Sequence, residues 1–153
     1  MRGGPPLSTP PPVRGAVRSV GGMPFTPRRA IVTASDSGIG RATALALADA
    51  GMDVGVTWHS DQEGAEETAA EVRRRGRNAV VAHFDATDLD SVPGVIRGLA
   101  AELGGLDVFV NNAGGGTGGP FLEMDIEGWR QVVGLNLDGA FAGMHTAATL
   151  MAD

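Results

Sequence analysis

Residues 30–40 read AIVTASDSGIG, and this stretch decides the fold. It begins with a short apolar run, residues 30–34, of the kind that forms a buried strand. Two glycines follow, Gly38 and Gly40, and an alanine- and leucine-rich segment at 39–50 predicts a helix directly after the turn. A buried strand, a glycine-bearing turn and a helix in this order favour an α/β fold.

Strands and helices continue to alternate after this first unit. Further strands are predicted at 53–57, 79–84 and 106–110, and further helices at 60–75 and 89–103, followed by helical sequence from 125 to 153 with a break near Asn136. Four strands separated by helices of this length predict right-handed βαβ crossovers and a parallel sheet. The chain from 29 to 153 is therefore expected to form one α/β domain, a Rossmann-like doubly wound parallel sheet.

Two helix starts carry local signals. Ser60 is followed three residues later by Glu63, which is the spacing of a capping box at the start of the second helix. Pro93 falls in the predicted first turn of the third helix, where the missing N–H of proline is tolerated.

Residues 1–28 differ in composition from the rest of the chain. They hold seven of the nine prolines and no acidic residue, and they show no apolar period. Because proline removes backbone donors, we expect a disordered leader rich in proline, glycine and arginine. A targeting peptide and a translation start at Met23 are the alternatives, although dense proline and glycine argue against an amphipathic targeting helix.

The composition argues against several classes of function. The chain has 153 residues, no cysteine and a formal net charge of −6. These values rule out disulfides and cysteine metal sites and argue against nucleic acid as the main partner. No apolar run approaches the roughly 20 residues that span a bilayer, and the spacing of the three histidines fits no metal-ligand pattern. We expect a cytoplasmic protein with no nucleic-acid, membrane or metal partner.

The loop at 33–40 has the chemistry of an anion site. The N-terminus of a helix presents unpaired N–H groups and a partial positive charge, so it attracts a pyrophosphate. Glycine lets the backbone approach the phosphates where a Cβ would clash, and Gly38 and Gly40 stand where that approach is needed. A plain tight turn is the alternative. The position of the glycines between a buried strand and a helix favours nucleotide binding.

Three further motifs follow this loop. Residues 111–114 read Asn-Asn-Ala-Gly directly after the fourth predicted strand, Asp85 ends the third strand, and Asn136 lies in a later helix. Together with TASDSGIG at 33–40, these motifs resemble the short-chain dehydrogenase/reductase family, whose loop reads Thr-Gly-x-x-x-Gly-x-Gly. Ala34 stands in the place of the first glycine and fits if its φ is negative. The resemblance covers residues 29–153 without a visible gap.

The resemblance implies a nicotinamide dinucleotide cofactor and hydride transfer between a small-molecule alcohol and its carbonyl. Gly38, Ile39 and Gly40 would hold the pyrophosphate, and Asp85 would accept a hydrogen bond from the adenine amino group. The residues expected to contact the cofactor are Thr33, Ser35, Ser37, Gly38, Ile39, Gly40, His59, Ser60, Asp85, Ala86, Asn112, Ala113 and Gly114.

Other implied roles have structural alternatives. Asp85 could instead cap the next helix, although Asp88 could also do so. Asn136 is implied as a catalytic residue that fixes a water and a helix kink, and its alternative is a cap between two helical segments. Both roles of Asn136 can hold together. Asn111 is implied to stabilise the sheet and approach the cofactor.

The end of the second predicted strand bears on the choice between NAD and NADP. An acidic residue there bonds the ribose hydroxyls of NAD, and it would repel a 2′-phosphate. Residue 57 is a threonine, and His59 and Ser60 could donate to a phosphate, but the turn has no Arg or Lys. We expect a mild preference for NADP over NAD.

The family's catalytic serine, tyrosine and lysine follow the helix that carries Asn136. This chain has no tyrosine, and all 12 of its basic residues are arginine. We therefore expect the cofactor-binding front part of such an enzyme, incomplete after the fourth strand and the following helices, and inactive by itself. The alternatives are a catalytically inactive nucleotide-binding module and a subunit that needs a partner chain.

Two apolar surfaces are expected to be exposed. The strand at 106–110 would form an edge of the sheet, and the last helix carries Phe141, Met144, Ala148 and Met151 at helical spacing. In the family the corresponding helix pairs with a partner subunit. We expect homo-oligomers among intact relatives, and self-association or marginal stability of this chain.

Overall fold

The computed structural model describes residues 25–116 and 118–152. Residues 25–28 lead without secondary structure into the first strand, and the main-chain N–H of Arg28 donates to Asp107 Oδ2 at 2.9 Å. The predicted leader at 1–28 lies almost entirely outside the described residues, so it stays a prediction.

Strands and helices alternate along the described part of the chain. The strands are β1 (Arg29–Val32), β2 (Asp53–Trp58), β3 (Ala79–His83) and β4 (Val108–Val110). The helices are α1 (Gly38–Asp49), α2 (Gln62–Arg74), α3 (Val92–Leu103), α4 (Ile126–Val133) and α5 (Gly139–Ala152). A 3₁₀ turn at Phe121–Glu123 precedes α4, and a π-helical turn at Gly134–Asp138 joins α4 to α5. Each element predicted from the sequence is present.

The four described strands form one parallel sheet in the order β3-β2-β1-β4. Val32 of β1 pairs with Val56 of β2 on one side and with Val110 of β4 on the other. The carboxyl ends of these strands therefore lie next to one another. In open α/β sheets, ligands bind outside the carboxyl ends at the point where the strand order reverses, which here is between β1 and β4.

The two faces of the sheet are covered by different helices. Ile31 packs with Ile96 of α3 and Ala147 of α5, and all three side chains are fully buried. The next residue, Val32, points to the opposite face, where it packs with residues of α1 and α2 that include Val72. Helices on both faces of a parallel sheet confirm the predicted Rossmann-like doubly wound fold.

The start of α2 differs from the prediction. Asp61, not Ser60, is the capping residue, and its Oδ1 accepts a hydrogen bond from the Gly64 N–H at 2.9 Å. The predicted capping box is wrong because β2 extends to Trp58, so the turn and the helix begin one residue later.

The start of α3 also differs, since the helix begins at Val92 rather than near residue 89. Two turns occupy the intervening residues. Asp85 Oδ1 accepts the Thr87 N–H at 2.8 Å, and the Asp88 carbonyl accepts the Ser91 N–H at 3.1 Å. Ser91 is the N-terminal flanking residue and makes no side-chain capping bond. Asp88 Oδ1 also accepts the Ser91 N–H at 3.3 Å, so Asp88, and not Asp85, supplies a side-chain acceptor in the turn that leads into α3.

β4 is an edge strand of the described sheet, as the sequence predicted. It is short, because it begins at Val108, two residues later than predicted. Its three residues are partly buried. Phe109 faces Gly143 of α5, where an added Cβ would lie 3.3 Å from the ring. This close approach of helix and strand requires a small residue at 143.

Candidate functional site

The loop after β1 contains an unusual backbone conformation at Ala34. Its φ is +48°, and it is the one non-glycine residue in the described part of the chain with a positive φ. The expectation of a negative φ is wrong. Partners from β2 and from the loop after β4 hold this conformation: Ala34 N donates to Thr57 Oγ1 at 3.0 Å, and Asn112 Nδ2 donates to the Ala34 carbonyl at 2.9 Å.

The N-terminus of α1 is open to a ligand. Ser37 precedes the helix in an extended conformation, and its side chain makes no capping hydrogen bond. Gly38 has a φ of +52°, and Ile39 is 79% exposed. A Cβ on Gly40 would overlap the Ala34 carbonyl, so glycine is required there. The first-turn N–H groups have no intrahelical partner and carry the positive end of the helix dipole, so they can bind an anion.

Two hydroxyl side chains support this loop from below. Thr33 and Ser35 are both fully buried. Thr33 Oγ1 accepts the main-chain N–H of Asn112 at 2.9 Å and that of Ala113 at 2.8 Å. Ser35 Oγ donates to the Val32 carbonyl at 2.8 Å. The structure therefore places Thr33 and Ser35 beneath the loop, with their hydroxyl groups bonded within the protein.

Asn112 ties the loop after β4 to the loop after β1. Besides Ala34, its Nδ2 donates to the Thr33 carbonyl at 3.0 Å. Asn111, for which the resemblance implied a stabilising role in the sheet, faces α5, with its Oδ1 3.6 Å from the Cβ position of Gly143. Asn112 is thus the residue of this pair that connects the two loops.

A cleft of about 270 Å³ lies where the loops after the four strands meet α4. Five of the predicted cofactor residues border it, namely His59, Asp85, Ala86, Ala113 and Gly114. The bordering residues outside the predicted cofactor set are Ala34, Phe84, Thr87, Gln131 and Leu135. Gln131 and Leu135 reach the cleft from α4 and the π-helical turn, and only the folded structure brings them there.

The carboxylate of Asp85 is held at the border of this cleft. Its Oδ1 accepts hydrogen bonds from the hydroxyl of Thr87 at 2.7 Å and from the Thr87 N–H at 2.8 Å. These bonds are the main reason that the pKa of Asp85 lies below its ordinary value, and the nearby His59 and His83 lower it further. Asp85 is therefore an ionised acceptor next to the cleft at neutral pH.

Two histidine rings stack beside Asp85. His59 Nε2 lies 3.7 Å from Asp85 Oδ2, and the rings of His59 and His83 are stacked with centroids 5.8 Å apart. His83 Nε2 lies 3.2 Å from the His59 carbonyl. Ser60, the next predicted cofactor residue, is exposed in the same turn. The sequence did not indicate His83, because its position depends on the pairing of β2 with β3.

Asn136 lies in the middle of the π-helical turn. Its Nδ2 donates to the carbonyls of Gly115 at 2.7 Å and Val132 at 2.8 Å, and its Oδ1 accepts the Gly115 N–H at 3.1 Å. The predicted break near Asn136 is therefore a π-helical turn within a continuous helical run, and not a cap between two separate helices. The side chain fixes the loop after β4 against this turn.

The site combines three features that suit an anionic ligand with hydrogen-bond donors. The glycine turn before α1 offers main-chain donors to an anion, a cleft lies between the strand ends and α4, and Asp85 is an ionised acceptor at its border. A family model for short chain dehydrogenases matches residues 28–153.

The chain belongs to the short-chain dehydrogenase family. It is 47% identical over 122 residues to an uncharacterised oxidoreductase, YohF, of Escherichia coli (strain K12), covering 80% of this chain and 48% of that protein. The crystal structure of acetoin dehydrogenase from Enterobacter cloacae matches with 50% identity and a TM-score of 0.76, over 83% of this chain and 50% of that one. The structure of acetoin dehydrogenase YohF from Salmonella typhimurium matches with 47% identity and a TM-score of 0.76, over 81% and 52%.

These comparisons confirm the resemblance drawn from the sequence motifs. This short-chain dehydrogenase chain spans about half the length of the relatives that it matches. Within residues 25–116 and 118–152, no group of three or more histidine, cysteine or acidic residues could hold a metal ion, and no helix is long and apolar enough to cross a membrane.

Proposed function

We propose that this chain binds a nicotinamide dinucleotide at the carboxyl ends of β1, β2, β3 and β4. The observation that carries the proposal is the open N-terminus of α1, where Gly40 leaves no room for a side chain against Ala34. The main-chain N–H groups at 38–40 would hold the pyrophosphate, and Asp85 would accept a hydrogen bond from the adenine amino group.

This chain spans about half the length of the relatives that it matches. For the whole protein we propose oxidoreductase chemistry. The nicotinamide would supply or accept a hydride when bound. Asn136 would hold the loop at 113–115 in place beside it. Because the chain has no tyrosine and no lysine, we expect no turnover by these 153 residues alone.

The substrate class that we propose is a small secondary alcohol and its ketone, such as acetoin. Two of the structures that this chain matches at 47–50% identity are acetoin dehydrogenases. A dehydrogenase assay of the pure chain with acetoin and either dinucleotide tests the expected lack of turnover. Measurable turnover would show that catalysis does not require the missing tyrosine and lysine.

Two alternatives remain proposals of their own. The chain could act as a catalytically inactive nucleotide-binding module, or as a subunit that a partner chain completes. Co-purification with a second chain that restores acetoin turnover would favour the subunit.

The cofactor preference that we propose is mild, for NADP over NAD, because β2 is followed by His59 and Ser60 and no acid stands at Thr57.

Calorimetric titration with NADP⁺ and NAD⁺ tests binding directly. Ile39→Glu places a negative charge at the exposed start of α1 without disturbing packing, and acidic residues there are favourable for the helix. Repulsion of the pyrophosphate should weaken binding by roughly tenfold or more, which corresponds to about 1.4 kcal/mol. Gly98→Glu adds the same charge on the exposed face of α3, where an added Cβ has open space, and serves as the matched control.

Two results would contradict the proposed site. One is that the unmodified chain is folded and yet binds neither dinucleotide. The other is that Ile39→Glu and Gly98→Glu bind equally well, because the start of α1 would then not contact the phosphates.

A further inference from the structure

β3 forms one edge of the described sheet, and a groove of about 440 Å³ lies beside it. Glu66 and Arg73 border the groove from α2, which covers one face of the sheet, and Glu102 borders it from α3 on the other face. Residues 78–81, where β3 begins, line the groove as well. An extended peptide can add to a sheet at an exposed edge strand of this kind.

The pairing of β3 with β2 determines which of its main-chain groups point outward. The Val54 N–H donates to the Asn78 carbonyl at 2.9 Å, and the Phe84 N–H donates to the Trp58 carbonyl at 2.8 Å. In a parallel pair these bonds come from alternate residues, so residues 80 and 82 also face β2. The N–H and carbonyl groups of residues 79, 81 and 83 therefore point away from the sheet.

One of these outward groups already binds an arginine side chain. Arg73 Nη2 donates to the Ala79 carbonyl at 2.9 Å. Two residues further along, the outward N–H and carbonyl of Val81 make no such bond within the described part of the chain. In an antiparallel pair one residue bonds both groups of the residue opposite. Val81 therefore offers a complete pairing position to an antiparallel strand.

The chain contains a peptide with the matching charge and pattern. Residues 1–24 contain three arginines and no acidic residue, whereas all 18 acidic residues of the chain follow them. Within them, residues 13–20 read VRGAVRSV and contain no proline, so every N–H of this segment is available for pairing. In an extended strand, Val13 and Val17 lie on one face and Arg14 and Arg18 on the other.

The carboxylates of the groove complement these arginines. Glu66 and Glu102 stand on opposite walls, so the arginine face of an added strand meets a carboxylate whichever wall it turns to. Both acidic residues are exposed, and solvent screens such pairs. The charges therefore select a basic peptide, while the main-chain bonds of β3 hold it.

The connection between this segment and β1 is long enough for it to reach β3. The Arg28 carbonyl accepts the Asp53 N–H at 2.7 Å, which places Arg28 at the amino ends of β1 and β2. Strands lie about 4.8 Å apart, so a strand added beyond β3 lies about 14 Å from β1. Residues 21–27, when extended, span up to about 23 Å. Because this link arrives at the amino ends of the strands, the segment before it runs antiparallel to β3.

We propose that residues 13–20 add to the free edge of β3 as an antiparallel strand, with Arg14 and Arg18 facing the acidic walls of the groove. The added strand covers the edge that would otherwise pair with another molecule. The groove lies where β3 begins, away from the carboxyl ends of the strands, so this inference does not depend on the proposed function.

Hydrogen exchange of the complete chain, followed by NMR, tests the main-chain pairing. We expect the Val81 amide to be protected, and Ala16→Pro with Val17→Pro to speed its exchange roughly tenfold, because one of the two lost N–H groups pairs with β3 in either register. The Val80 amide faces β2, so it should keep its protection in every variant and serves as the internal control for folding.

Charge is tested in the same measurement. Arg14→Glu with Arg18→Glu should speed the exchange of the Val81 amide, and Arg14→Lys with Arg18→Lys should leave it protected. Glu66→Gln and Glu102→Gln are made separately, and the one on the wall that the arginines face should also speed the exchange.

A spin label distinguishes docking within one chain from docking between two copies. The chain has no cysteine, so Thr9→Cys carries a single nitroxide label outside the docked segment. We expect the label to broaden the amide signals of Val81 and His83 in its own chain. A mixture of labelled chain with unlabelled ¹⁵N chain should show no such broadening.

Three results would overturn the inference. One is a Val81 amide that exchanges equally fast in the unmodified chain and in the proline variant. Another is an exchange rate that Arg14→Glu with Arg18→Glu leaves unchanged. The third is broadening in the mixture of chains alone, because the groove would then hold a second copy instead of the segment of its own chain.

Discussion

Ala34 shows how distant parts of the chain hold one residue in an unfavourable conformation. A left-handed backbone costs about 1–2 kcal/mol for a residue with a Cβ. Ala34 adopts it because Thr57 and Asn112 fix its N–H and its carbonyl, and Gly40 packs closely against that carbonyl. Residues strained in this way persist where the surroundings over-determine them, and they cluster at ligand sites.

Ala34→Gly should raise the free energy of unfolding by up to about 1 kcal/mol, because glycine adopts a positive φ without strain. The greater entropy of glycine in the unfolded chain offsets only part of this gain. Thermal or urea unfolding measures the change. Gly38→Ala is the matched reverse substitution, since Gly38 has a φ of +52° and no atom near its Cβ position, and it should destabilise by about 1 kcal/mol. A lower melting temperature for Ala34→Gly would show that its methyl group contributes packing that outweighs the strain.

The sequence located much of the site at the residue scale, and the rest depended on tertiary contacts. Asp85, Ala113 and Gly114, which the motifs indicated as cofactor residues, border the cleft. The positive φ of Ala34 and the stacking of His83 could not be predicted, because their partners stand on other strands and loops. The connecting role of Asn112 rather than Asn111 likewise depends on which side chain faces the loop after β1.

At the scale of elements, the π-helical turn between α4 and α5 is tied to the loop after β4 by one side chain. Asn136 makes two bonds with Gly115 and one with the Val132 carbonyl. π-Helical turns within helices are often found at functional sites. Here the turn fixes the loop that borders the cleft.

Asn136→Ala should lower the free energy of unfolding by about 1 kcal/mol, because the side chain is exposed and water replaces part of each lost bond. The Gly115 amide should lose its protection against hydrogen exchange. Asn136→Asp keeps an acceptor for that amide but loses both donors, so it should retain more of the protection. Equal protection of the Gly115 amide in all three proteins would contradict the proposed tie.

An ion pair joins the beginning of β1 to the beginning of β4. Asp107 Oδ2 lies 3.1 Å from Arg29 Nε and accepts the main-chain N–H groups of Arg28 and Arg29. The hydrogen bond from the Arg29 side chain is the main reason that the pKa of Asp107 is lowered. Because the pKa of Asp107 is lower in the folded chain than in the unfolded chain, its ionised carboxylate stabilises the fold at pH values above the unfolded pKa. This stabilisation is lost as the pH falls through the pKa of the folded chain.

Asp107→Asn should therefore destabilise the chain by about 2 kcal/mol at neutral pH. The difference from the unmodified chain should shrink as the pH falls below about 4, where the unfolded carboxyl becomes protonated. Urea unfolding at several pH values measures it. Asp49→Asn breaks an exposed pair with Arg75 and should cost no more than about 0.5 kcal/mol. A pH-independent effect of Asp107→Asn would show that charge is not its cause.

At the scale of the whole molecule, the described chain exposes two apolar surfaces. Phe141, Met144, Ala148 and Met151 lie along the exposed face of α5, as the sequence predicted. A second patch, which the sequence did not indicate, surrounds the 3₁₀ turn and α4 and consists of Phe121, Leu122, Ile126 and Trp129. Contiguous apolar surfaces of this kind mark sites of association.

We predict that the chain self-associates, because association removes these side chains from water. Sedimentation velocity across a range of concentrations should show species larger than a monomer. The double variant Phe141→Gln with Met144→Gln should shift the distribution towards monomer, while Leu89→Gln, at an exposed leucine that belongs to neither patch, should not. A monodisperse monomer with cooperative unfolding would contradict this prediction.

The fold itself was predictable from the sequence. Apolar runs such as 30–34 determine the strand number, and the helix between each pair of successive strands predicts the parallel arrangement. The prediction failed at element ends, such as the start of α2, where Asp61 rather than Ser60 is the capping residue because β2 extends to Trp58. The cleft could be predicted only in part, since α4 and the π-helical turn reach it through packing.

The central claim is that residues at the carboxyl ends of the strands hold a dinucleotide. Two-dimensional ¹H–¹⁵N NMR spectra of the chain during titration with NAD⁺ test it most directly. We predict saturable shifts of the amides of Gly38, Gly40, Ala86 and Gly114, with no shift for Gly98 on α3 or Gly76 after α2. Shifts confined to residues outside the cleft and the start of α1, or no shifts in a folded chain, would contradict the account.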